Sequence, residues 1–95
     1  MKYCVYILTN KTNSVLYVGV TNNLERRLLE HRNSIDEKSF VARYKCHKLI
    51  YYIQGNNIEE AIKFEKRVKG WSREKKHQLI VSINPKWRDL SEGWF

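Results

Sequence analysis

Proline is nearly missing from this chain, at one residue in 95, and glycine is sparse at four. That scarcity excludes collagen-like and Pro/Gly-rich linker classes. Cysteine is limited to Cys4 and Cys46, far apart and without a CxxC pair. Such spacing points to free thiols in a reducing compartment rather than a disulfide scaffold. Apolar runs are only a few residues long, so no segment is expected to cross a bilayer. The opening residues, MKYCVYILTN, lack the apolar stretch and small-residue cleavage site of a secretory signal. The expected setting is cytoplasmic.

Acidic residues are scarce too. Asp plus Glu is 10 against 18 Lys plus Arg, a formal net charge of +8. Such an excess favours polyanionic partners, nucleic acid first. Seven of the bases, Lys63, Lys66, Arg67, Lys69, Arg73, Lys75 and Lys76, lie in one short stretch against Glu65 and Glu74. They are candidate DNA-binding residues, although a solvated helix face is the ordinary alternative. The length leaves no room for a second core, so residues 1–95 read as one domain.

Strand formers dominate Tyr3–Thr9 and Val15–Val20, joined by the turn residues Asn10–Asn13. So short a connection predicts an antiparallel hairpin in which Thr9 faces Ser14 and Tyr6 faces Tyr17. Asn22 or Asn23 caps a helix running to about His31, with Leu24 and Leu28 as its apolar stripe. Residues 33–46 read as polar and irregular. Leu49–Ile53 is a third strand. Asn56 or Asn57 starts a helix that Gly70 ends, and Ser72 starts another that stops at Asn84-Pro85. The order β-β-α-β-α-α predicts an α/β (α+β) domain with a three-stranded antiparallel sheet flanked by helices.

Glu65 falls on the apolar stripe of Ile58, Ala61, Ile62 and Val68. A carboxylate there needs a metal ion or a basic partner, or else reaches water at the stripe edge. Arg27 and His31, four apart, share a helix face. Their types suit phosphate binding and proton transfer, or simply a polar surface. Tyr6 and Tyr17 suit sheet packing; a catalytic tyrosine base would need its pKa lowered from about 10. Cys4, Cys46, His31, His47 and His77 lack the paired spacing of a zinc site. Trp71, Trp87 and Trp94 could stack on bases, but at least two are expected in the core.

Cys4-Val5-Tyr6, then Tyr17-Val18-Gly19, then Thr21 to Leu28 and His31, resemble the motifs of the GIY-YIG nuclease superfamily. That superfamily includes the N-terminal nuclease domain of the UvrC repair protein and phage homing endonucleases. The stretch Glu65–Trp71 is similar to the family's metal-binding block, and Ile83–Leu90 is similar to the closing block of its small stand-alone members. The match covers nearly the whole chain. Cys4 stands at the family's first Gly and Val5 at its Ile. Any positive φ or close approach tied to that Gly would be lost.

The resemblance implies a metal-dependent endonuclease acting on DNA, with roles in repair or recombination. Glu65 would bind one Mg2+ or Mn2+. Tyr6 would activate water directly or through His31, Arg27 would hold the phosphate, and Tyr17 would orient the reacting groups. Gly19 would allow a tight turn beside the site, and Asn84 would lie near it. Residues 33–45 join the basic helices as a candidate DNA-facing surface. Sequence preference is expected to be weak, or supplied by DNA structure or by a protein partner. The rival expectation is a non-catalytic nucleic-acid-binding module on the same fold.

Overall fold

A computed structural model describes residues 2–33 and 40–95. Its elements are β1 (Tyr3–Thr9), β2 (Leu16–Thr21), α1 (Leu24–Arg32), α2 (Phe40–Tyr44), β3 (Lys48–Gly55), α3 (Ile58–Lys69) and α4 (Arg73–Ile83). The sheet order is β2-β1-β3, with both pairings antiparallel. Among the described residues no helix is long and apolar enough to cross a membrane.

Alternation along β1 sends its side chains to two cores. Cys4, Tyr6 and Leu8 meet Leu24 and Leu28 of α1, Val41 of α2, and Cys46 and Leu49. Val5 and Ile7 meet Val18, Ile50, Tyr51, Val68 of α3 and Ile80 of α4. The sheet is therefore covered by α1 and α2 on one face and by α3 and α4 on the other. Trp71 and Trp87 pack against the second core and Trp94 against the first.

The hairpin differs from its expected register. Thr9 pairs with Leu16, Leu8 with Tyr17 and Tyr6 with Gly19. The shift is two residues, because side chains take Ser14 and Val15 out of the ladder. Asn10 Oδ1 accepts from Ser14 N at 2.8 Å and Val15 N at 3.2 Å, while Thr9 Oγ1 donates to Val15 O at 2.7 Å. A slip of two preserves the face, so Tyr6 and Tyr17 still share one side of the sheet.

β1 pairs with β3 through a bulge: Ile7 opposes Tyr51, but Leu8 opposes Leu49. The extra residue, Ile50, lets both Ile50 and Tyr51 enter the second core. The carbonyl of Ile50 accepts from Asn84 Nδ2 at 3.0 Å. Next to it, Leu49 O accepts from Leu90 N at 2.7 Å and Leu49 N donates to Asp89 Oδ1 at 3.2 Å. The C-terminal strap thus covers the start of this outer strand.

Helix boundaries follow the capping residues. The side chains of Asn23, Asn57 and Ser72 accept from the third backbone N–H beyond each. The five-residue α2 lies inside the stretch expected to be irregular; it is too short to carry a helical period, and only Val41 of it is buried. Residues 34–39 of the expected DNA-facing loop lie outside the described residues.

Candidate active site

α1 presents Leu24, Leu28 and His31 as its buried stripe. That stripe carries His31 under the sheet, where its Nε2 lies 3.1 Å from the Tyr6 hydroxyl. Tyr17 joins them, its ring centroid 5.7 Å from His31 and 6.2 Å from Tyr6. Arg27, one turn before His31, brings its guanidinium beside both phenols. Four of the expected site residues therefore meet on one face, supplied by β1, β2 and α1.

Gly19 has a different task from the tight turn expected of it. It lies within β2, directly across from Tyr6. A Cβ there would stand 2.5 Å from Tyr6 Cζ and Oη. Real Cβ atoms do not approach so closely, so the missing side chain is what admits the phenol. Cys4 is an ordinary strand residue, buried and without a positive φ. Cysteine therefore meets no left-handed strain at the position where the family has glycine.

The electrostatics invert one expectation. Burial pushes the Tyr6 hydroxyl well above its ordinary pKa, with Tyr17 adding to the rise and the Arg27 guanidinium opposing it. Tyr6 is protonated at neutral pH rather than a ready phenolate. Burial lowers His31 to about 4, helped by the Arg27 charge and resisted by Glu30. The imidazole is therefore neutral and free to accept. Arg27 is raised by its tie to Tyr6 and remains a cation. Glu30 pairs with Arg27 at 3.3 Å and with Arg26 at 3.2 Å.

Glu65 is buried, at 6% exposure, on α3, a helix that packs on β1 and β2 from the opposite side. Its partner is Lys69. No hydrogen bond or ion pair joins it to the four clustered side chains among the described residues. Nor, among the described residues, do three His, Cys, Asp or Glu side chains gather into a metal-holding group. One enclosed carboxylate answered by a lysine fits a hard cation that takes its other oxygens from water and phosphate. It does not fit an all-protein cage.

Asn84 stands apart from the cluster. Its Nδ2 donates to Ile50 O and Arg88 O, and its Oδ1 accepts from Arg88 N. Its amide is occupied by backbone, which makes it the anchor of the C-terminal strap. The basic stretch is distributed over α3 and α4. There Arg73 donates to Asn13 O and Ser14 O, Lys75 sits 4.5 Å over the Trp71 ring, and Lys69 meets Glu65. Lys63, Lys66 and Arg67 are exposed on α3, and Lys76 is half-buried on α4. Sequence reasoning missed Phe40, whose ring stacks on Tyr17 at 6.0 Å. The i, i+4 spacing of Phe40 and Tyr44 was the available signal.

Residues 2–78 match the family model described as the GIY-YIG catalytic domain, which makes this a nuclease-type domain. The chain belongs to the GIY-YIG family. It is similar to a UPF0213 protein of Clostridium perfringens, 42% identical over 78 residues and covering 82% of each chain. A UPF0213 protein of Staphylococcus saprophyticus is 34% identical over 79 residues, covering 83% of this chain and 94% of that one. The solution NMR structure of a UPF0213 protein from Bacillus halodurans is similar throughout. Its TM-score is 0.59 at 30% identity, with 98% of both chains covered.

Proposed function

We propose that this chain is a metal-dependent endonuclease that hydrolyses DNA phosphodiester bonds at the face carrying Tyr6, Tyr17, Arg27 and His31. The observation that carries this reading is the hydrogen bond between a protonated Tyr6 and a neutral His31. As a water oxygen attacks phosphorus, its proton passes to Tyr6 Oη and the tyrosyl proton passes to His31 Nε2. The bond from phosphorus to the leaving sugar oxygen breaks with its electron pair on that oxygen, which takes a proton from solvent water. Tyr6 relays and His31 is the base, so no lasting phenolate is needed.

Arg27 offers its fork to the phosphate and offsets the charge that develops there. An anionic phosphate beside Arg27 also cancels part of the field that lowers His31. The base is thereby strengthened when substrate binds. Tyr17 orients the phosphate or the water, and Gly19 keeps Tyr6 in place. Glu65 is the residue that would hold Mg2+ or Mn2+, with Lys69 giving way. A cation held there would supply Lewis-acid stabilisation of phosphate charge. Because α3 packs on the side of the sheet away from the phenols, this role requires the Glu65 carboxylate to open toward the phosphate face. Repair, recombination and mobile-element settings all suit such an activity, with targeting supplied by DNA structure or by a protein partner.

The test is incubation with supercoiled plasmid, branched DNA and single-stranded DNA, with Mg2+ or Mn2+ and with EDTA. Metal-dependent cleavage by the wild type is expected. Arg27→Ala and Glu65→Gln should abolish it with unchanged circular dichroism. Absence of cleavage of all three DNAs by the wild type would replace this reading with a non-catalytic nucleic-acid-binding module on the same fold.

A further inference from the structure

The face that carries Tyr17 also carries a run of rings leading away from the site. Tyr17 stacks on Phe40, and Phe40 meets Tyr44 with centroids 4.7 Å apart. Phe40 is 43% exposed and Tyr44 42%. α2 thus gives Val41 to the core and leaves two rings in water. Tyr44 then lines a cavity of about 560 Å3 whose cations are Lys11, Arg32, Lys45 and Lys48. Ligand sites usually measure roughly 300–1,000 Å3.

The charge of this cavity is not cancelled from within. Among the described residues its one acid, Asp89, is already engaged by Leu49 N, Ser91 and Arg32. Lys48 donates to the neutral Asn13 Oδ1. Lys11 and Lys45 have no ion-pair partner among the described residues. Lys45 also holds φ 54, just past the end of α2. Glycine or asparagine suits that position; another residue there is disfavoured by about 1–2 kcal/mol. His47 lines the same cavity, and Arg32 and Lys45 add to the burial that lowers its pKa. The lining charge of the described residues is positive.

We infer that this cavity is a phosphate-binding subsite for the nucleic acid, with Phe40 and Tyr44 contacting the nucleotides between it and Arg27. The inference rests on the nucleic-acid reading above and goes beyond it by placing the strand. It routes DNA over the α1–α2 side of the sheet. The basic run on α3 and α4, which the sequence favoured, covers the opposite side. Salt-dependent affinity should then come chiefly from the cavity lysines.

The experiment is fluorescence anisotropy in EDTA, using a labelled DNA of about 20 nucleotides, single-stranded and duplex, over a range of salt. Lys11→Glu combined with Lys45→Glu should weaken binding at least about tenfold and flatten the salt slope by about two charges. Both side chains are exposed, so melting temperature should hold, which separates lost binding from lost fold. Phe40→Ala should weaken binding further. A double variant that binds within about twofold of wild type, or a larger loss from Lys63→Glu with Lys66→Glu, would overturn the subsite. Failure of the wild type to bind any DNA would overturn the nucleic-acid reading itself.

Discussion

Tyr6 lies across the ladder from Gly19, and its hydroxyl occupies the volume that any side chain on Gly19 would need. Gly19→Ala should therefore act on Tyr6. The displaced ring loses its bond to His31, and overpacking should cost about 1–3 kcal/mol. Urea denaturation checks the stability, and plasmid nicking should fall more than DNA affinity.

Tyr6→Phe removes the hydroxyl but keeps the ring. His31 Nε2 is then left without its partner in a buried setting, at about 1–3 kcal/mol. Nicking should disappear while DNA binding persists. Full nicking by this variant would exclude the relay through Tyr6.

His31 makes stability depend on pH in a stated direction. Its pKa falls from 6.5 in the unfolded chain to about 4 in the fold. Between those values the unfolded chain binds the extra proton, so stability is complete above 6.5 and declines as pH drops through 4. His47 is lowered as well. The variant His31→Gln isolates the first contribution. Urea midpoints for wild type and variant should converge as pH falls across the window, and parallel curves would contradict the lowered pKa.

Asn84→Ala should behave as a structural change. It strips partners from Ile50 O, Arg88 O and Arg88 N, costing about 1–3 kcal/mol for each buried group left unsatisfied. Nicking measured well below the melting transition should remain near wild type. A large loss of turnover at unchanged stability would return Asn84 to the chemistry.

The sheet and the long helices were readable because their signals are local. Asn57, Gly70 and Ser72 mark helix ends by hydrogen bonds made within a turn. The hairpin register was not readable, because it depends on which backbone groups the side chains of Thr9 and Asn10 engage. α2 was missed because five residues carry too little pattern. Of the site, the pairing of Tyr6 with His31 needed the tertiary packing of α1. The direction of the Tyr6 pKa is likewise a property of burial, which residue type does not encode. Asn84 matched a motif position, yet its amide serves a bulge that only the folded sheet contains.

The strap from Asn84 to Leu90 lies beyond the residues that match the family model, which end at 78. A protein trimmed to the matched span would keep the phenols, the guanidinium and the imidazole. It would also lose the cover over Leu49 and Ile50, baring a template on which other chains can add strands. Clumping, together with a weakened second core from which Ile80 is also removed, is the symptom to expect of such a shortened form.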